Sequence, residues 1–196
     1  MPGREIIRAE RARLVEQVAE TIDHAHRLGI QHRDLKPSNI MLDAALSPKI
    51  LDFGLSGGDP GRGHLRGTLP YVAPEQLDPS QPIDARADVY AFGILLFEML
   101  TGVRPEGGEA PSELLAGLDP EIDRVFQSCY CRLEKRYPNA SAVLEKLEPI
   151  AARHARAAVL RPQPIRDVEA RDDLDAGDQR EARRARLPRS RRGAQG

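Results

Sequence analysis

Residues Val89 to Leu100, reading Val-Tyr-Ala-Phe-Gly-Ile-Leu-Leu-Phe-Glu-Met-Leu, are apolar on nearly every side of a helix. Such a helix is stable only when other protein surrounds it, so the chain is predicted to wrap its remaining elements around one buried rod. The unbroken part of the run, Val89 to Phe97, is too short to span a bilayer, and Thr101-Gly102 supplies a stop. Three further segments carry an apolar stripe to pack on it. Between Arg11 and Leu28 the stripe is Leu14, Val15, Val18, Ala19, Ile22 and Ala25, with Gly29 as a left-handed stop. A second is marked by Ile122, Val125, Phe126 and Cys129. The last is marked by Ala142, Val143, Leu147 and Ile150, with Asn139 and Ser141 both candidates for its cap. Two short strand-like pieces, Ile40-Met41-Leu42 and Lys49-Ile50-Leu51, flank a turn at Ser47-Pro48. Ser56 to Gly67 is a loop by its glycines.

Beyond about Leu160 the periodicity stops. Residues 151–196 hold 12 Arg and 7 acidic residues with few large apolar ones, so the near-neutral net charge of -1 conceals a basic tail on an acidic body. That composition does not bury enough surface to offset ordering entropy, and disorder is expected. Without interleaved aromatic residues, nucleic acid is not an expected partner of the tail. Cys129 and Cys131 are too close in sequence to bridge and read as two reduced thiols, and the amino terminus has no apolar leader. A cytoplasmic protein without a membrane span is expected.

The chemistry lies between these elements. His32-Arg33-Asp34-Leu35-Lys36-Pro37-Ser38-Asn39 is followed, one short hairpin later, by Asp52-Phe53-Gly54. Then come Gly67-Thr68-Leu69-Pro70-Tyr71-Val72-Ala73-Pro74-Glu75, Asp84-Ala85-Arg86-Ala87-Asp88, and Leu133-Glu134-Lys135-Arg136. A lone His-Arg-Asp is usually a surface turn, and a lone Asp-Phe-Gly recurs by chance. Eight consecutive residues followed by the other segments in this order resemble the C-terminal lobe of bacterial-type serine/threonine protein kinases.

The resemblance implies a mainly α fold with a small β-hairpin element, transfer of the ATP γ-phosphoryl to Ser or Thr of a protein substrate, and ATP with Mg2+ as cofactors. By analogy, Asp34 accepts the proton of the substrate hydroxyl and Lys36 neutralises the transferred phosphoryl. Asn39 and Asp52 are the metal ligands. Thr68 helps select a Ser or Thr acceptor, and Glu75 pairs with a buried Arg, assigned to Arg136 because a buried carboxylate needs a partner. Asp88 would accept hydrogen bonds from the backbone of His32 and Arg33. Gln31 departs from the apolar residue usual there, which would loosen packing. His24 and His26 are placed on or beside the polar face of the first helix as solvent contacts. Since Ser56 is the only hydroxyl between Gly54 and Gly67, control without activation-loop phosphorylation is expected, with Asp59 as a weak partner for Arg33.

The resemblance covers residues 12–150, leaving 1–11 as an N-terminal remnant and 151–196 as the tail. No glycine-rich loop or lysine strand precedes Leu14, so the N-terminal lobe is expected to be absent. Activity of the chain alone is therefore doubtful, and a chain bearing a small lobe is a candidate partner. The alternatives are a non-catalytic, pseudokinase-like binding module and a small-molecule phosphotransferase of the aminoglycoside-kinase type. The latter ordinarily lacks the Ala-Pro-Glu segment.

Overall fold

The computed structural model describes residues 2–53 and 69–159, with side chains over 10–53 and 70–153. It is mainly helical with one two-stranded antiparallel sheet. In order the elements are α1 (Pro2–Arg27), β1 (Ile40–Leu42), β2 (Pro48–Ile50), α2 (Arg86–Thr101), α3 (Pro111–Leu114), α4 (Pro120–Cys129) and α5 (Ala140–Val159). Single 3-10 turns at Pro37–Asn39, Leu69–Tyr71, Pro74–Leu77 and Leu133–Lys135 fill the connections.

Helix α2 is the buried rod. From Ala87 to Phe97 every residue except Tyr90 is buried. It stops at Gly102, whose φ of 84° is available to glycine at little cost and whose N–H donates to the Glu98 carbonyl at 2.8 Å. Arg11 completes that end from outside, its Nη1 donating to the Leu100 carbonyl at 2.8 Å, where a cation also suits the helix dipole.

Around α2 pack α1, through Val15, Val18, Ala19 and Ile22, and α4, through Ile122, Val125, Phe126 and Cys129. Helix α5 closes the core by laying Val143, Leu147 and Ile150 against α1 and α4. Gly93 lets α2 and α4 approach closely: a Cβ there would stand 2.7 Å from Cys129 Cβ. Among the described residues no helix is long and apolar enough to cross a membrane.

Local details depart from the sequence reading. Helix α1 begins at Pro2, so residues 2–11 run without a break into residues 12–27, and it ends one residue early in a two-bond turn. Gly29 N–H donates to His26 O and Ile30 N–H to Ala25 O. The hairpin turn is centred on Asp43 rather than Ser47-Pro48, because Asp43 Oδ1 accepts from the N–H groups of Ala45 and Ser47, both at 2.9 Å. Those amides, the Ser47 one foremost, hold the Asp43 carboxyl below its usual range. Pro48 is thereby the first residue of β2, opposite Leu42, where its missing N–H is tolerated. Of the two cap candidates, Asn139 Oδ1 accepts from Ala142 N–H at 3.1 Å, whereas Ser141 Oγ donates to Asp23 across to α1. The tail beyond Val159 and the loop from Gly54 to Thr68 lie outside the described residues, with the disorder expected of the one and the regulatory reading of Ser56 and Asp59 in the other.

Candidate active site

The site is assembled on the segment between α1 and β1. Arg33 adopts φ 64°, a left-handed backbone that costs a non-glycine residue energy and persists only where its surroundings fix it. Asp88, in the first turn of α2, supplies much of that fixation. Its Oδ2 accepts from His32 N–H at 2.7 Å and its Oδ1 from Arg33 N–H at 2.6 Å. Buried and beside a helix N-terminus, this carboxylate is stabilised by the dipole and by charge-assisted hydrogen bonds.

From this anchor the chain carries Asp34 outward, half-buried, with Lys36 Nζ donating to its Oδ2 at 2.7 Å. Asn39 donates from Nδ2 to the Asp34 carbonyl at 2.8 Å, which leaves its Oδ1 as an oxygen donor toward a ligand. His32 joins this loop to the hairpin. Its Nδ1 accepts from Asp34 N–H at 3.3 Å, so Nε2 carries the proton and donates to the Leu51 carbonyl at 2.7 Å. Leu51 N–H in turn donates to the Asn39 carbonyl at 2.8 Å. The next residue, Asp52, is exposed with φ 61°, and the Phe53 ring meets His32 edge-on at 4.9 Å between centroids. His32 thus connects the backbones that carry Asp34 and Asp52.

The donor chemistry fits Mg2+ delivered on phosphates. One exposed carboxylate and one amide oxygen are hard donors, too few to cage a metal and suited to one that keeps phosphate and water ligands. Among the described residues no cluster of three His, Cys, Asp or Glu forms a dedicated metal site.

Residues 4–156 match the protein kinase domain family. The chain belongs to that family. Over 199 residues it is 30% identical to a probable serine/threonine-protein kinase of Streptomyces coelicolor, covering 89% of this chain and 28% of that protein. It is 32% identical over 159 residues to one from Corynebacterium efficiens, covering 78% of this chain and 22% of the relative. Serine/threonine-protein kinase PknB of Mycobacterium tuberculosis is 36% identical over 105 residues, half of this chain and 17% of the other. The chain is thus an enzyme-family member of the bacterial serine/threonine type that spans less than a third of the length of these relatives.

Elsewhere in the kinase domain, Glu75 and Arg136 form a buried two-oxygen pair. Arg136 also donates to the carbonyls of Arg86 at 2.9 Å and Cys131 at 2.8 Å, and its guanidinium lies 4.8 Å from the centre of the Tyr90 ring. Tyr71 Oη donates to Glu98 Oε2 at 2.5 Å, and burial together with that carboxylate pushes its hydroxyl well above the usual tyrosine range. Thr68 lies outside the described residues.

Two functional contacts were not foreseen, and one placement is corrected. His26 is not a solvent contact: its side chain is only 3% exposed, with Nδ1 accepting from Ala140 N–H at 3.3 Å and Nε2 donating to Asp88 Oδ2 at 2.9 Å. The missed signal was its position four residues after Ile22, on the buried stripe. His24 is exposed. Gln76 had no sequence signal at all. Its Nε2 donates to the Arg33 carbonyl at 2.9 Å and its Oε1 accepts from Ala73 N–H at 3.0 Å. Gln31 Oε1 accepts from Arg33 Nε at 3.1 Å.

Proposed function

We propose that the chain carries the C-terminal-lobe half of a serine/threonine protein kinase site, residues 12–150, and acts in transfer of the ATP γ-phosphoryl to a Ser or Thr hydroxyl of a protein. The observation that carries this reading is the shared anchoring of Asp34, Asn39 and Asp52. Asp88 holds the His32 and Arg33 amides, His32 ties the Asp34 amide to the Leu51 carbonyl just before Asp52, and Asn39 bonds the Asp34 carbonyl and the Leu51 amide. The three residues thus belong to one hydrogen-bonded unit, which supports a role in which positioning dominates. In the proposed mechanism Asp34 accepts the proton of the acceptor hydroxyl. Lys36, already 2.7 Å from Asp34, places positive charge where the transferred oxygens pass. Asn39 Oδ1 and the Asp52 carboxylate would hold Mg2+, which would neutralise phosphate charge. Thr68, outside the described residues, is assigned the choice of a Ser or Thr acceptor by the family resemblance alone. Cytoplasmic action on a protein substrate belongs to the same reading.

Transfer in this family also uses a glycine-rich loop and a strand lysine, both carried by a small lobe. The 196 residues by themselves are accordingly proposed to bind Mg-ATP weakly and to turn over slowly until a small lobe is joined to them or supplied by another chain. The test is transfer from labelled ATP to a mixed protein substrate, by the chain alone and by the chain joined to the small lobe of a bacterial relative. Phosphoserine and phosphothreonine from the joined form, with far less from the chain alone, is the expected result. Phosphotyrosine as the main product, or no transfer by a folded joined form, would contradict the proposal.

A further inference from the structure

The peptide group joining Arg33 to Asp34 is held at both ends by side chains. Its N–H donates to Nδ1 of His32 at 3.3 Å, and its C=O accepts from Nε2 of Gln76 at 2.9 Å. Because Arg33 stands at φ 64°, this peptide is in an orientation that the backbone would relax if released. Asp88 restrains the preceding amide, that of Arg33, at 2.6 Å. On the carbonyl side Gln76 supplies the hold.

Gln76 lies 43 residues from Arg33 in sequence, in the turn Pro74–Leu77. The two ends of its amide do different things. Oε1 accepts from Ala73 N–H at 3.0 Å, satisfying a free donor at the start of that turn, while Nε2 reaches over to the catalytic segment. The neighbouring Glu75 is fixed by Arg136, so Gln76 projects from a rigid base. An apolar residue of similar length would fill the same space and make neither bond.

We infer that Gln76 is a positioning residue: it transmits the placement of the Ala73-Pro74-Glu75 turn to the Arg33–Asp34 peptide and so sets the direction of the Asp34 carboxylate. The consequence for transfer rests on the kinase reading, whereas the hold itself is tested without activity.

Gln76→Glu and Gln76→Met separate the two bonds. Both are compared with the wild-type chain by residue-resolved amide exchange, corrected for intrinsic rates across pH. Near neutral pH Gln76→Glu keeps an acceptor for Ala73 but loses the donor to Arg33. The Asp34 amide is expected to exchange about tenfold faster there while Ala73 stays protected. Lowering the pH through the titration of the introduced carboxyl restores an O–H donor, and Asp34 protection should return. Gln76→Met should release Ala73 and Asp34 together, with no recovery on acidification.

In the form joined to a small lobe, both variants should lower kcat at least about tenfold with KM for Mg-ATP unchanged. Unaltered Asp34 exchange in both variants would overturn the inference. So would equal loss of protection along α2, which would make Gln76 part of the global fold rather than a local hold. An intact, pH-recoverable hold in a joined form that transfers no phosphate would leave this inference standing and defeat the kinase reading instead.

Discussion

Arg136, in the turn before α5, closes a two-oxygen pair with Glu75 across a gap of 61 residues, and both side chains are almost wholly removed from solvent. A buried pair of this kind contributes little over a well-packed apolar pair, but losing one partner strands a charge in the interior.

Arg136→Met alone is therefore expected to cost about 3–5 kcal/mol in urea unfolding, and the double change Glu75→Leu with Arg136→Met distinctly less. A single-variant cost near that of a surface ion pair, below about 1 kcal/mol, would show that the pair is solvated in solution.

Gly93 offers a second stability test. A methyl group there would fall 2.7 Å from Cys129 Cβ and 3.2 Å from Tyr130 N, neither of which is the free end of a flexible side chain. Gly93→Ala should lower the unfolding midpoint by the equivalent of about 1–3 kcal/mol despite the better helix propensity of alanine. Adding Cys129→Ala should not rescue it, because the clash is with Cβ. A stabilised Gly93→Ala would mean that α2 and α4 are farther apart.

Glu16 offers one test of pH dependence. Burial first, then the charges of Glu20 and Glu148, raise its carboxyl above the usual range, with Arg13 opposing. A raised folded-state value means that the folded chain favours the protonated form. That contribution is present below the unfolded-state value and is lost as pH rises through the folded one. Glu16→Gln should therefore stabilise the chain near neutral pH by about 0.3–0.5 kcal/mol, the scale of one like-charge contact along a helix, and the gain should vanish in acid. Thermal melts at the two pH values check this, and a gain independent of pH would count against it.

What could be read from the sequence was whatever is encoded locally. Val89 to Leu100 announces a buried helix because no face of it is polar, and the His32–Asn39 and Asp52–Gly54 segments are recognisable because their spacing is short and fixed. Ser47-Pro48 has the chemistry of a turn, but the Asp43 carboxylate makes the turn with two amide bonds and Pro48 opens β2. Helix α1 reaches back to Pro2 although its apolar stripe begins near Leu14, since stripe and helix need not share an end. His26 and Gln76 were opaque for another reason. Their partners, Asp88, Ala140 and Arg33, lie 43 to 114 residues away, and no local pattern specifies a polar contact over that distance.

The proposed function gives Asp34 and Asp52 different work in one phosphoryl transfer. Its most direct test is single-turnover transfer from Mg-ATP to a serine peptide by the chain joined to a small lobe. Wild type would be compared with Asp34→Asn and Asp52→Asn, and nucleotide affinity measured beside the rate. With Asp34 as the proposed proton acceptor, Asp34→Asn should slow transfer by about 10²–10⁴ with Mg-ATP affinity kept. With Asp52 as a proposed metal ligand, Asp52→Asn should slow transfer and also weaken Mg-dependent nucleotide binding. Wild-type rates in either variant, or weakened Mg-ATP binding in Asp34→Asn with none in Asp52→Asn, would contradict the assignment.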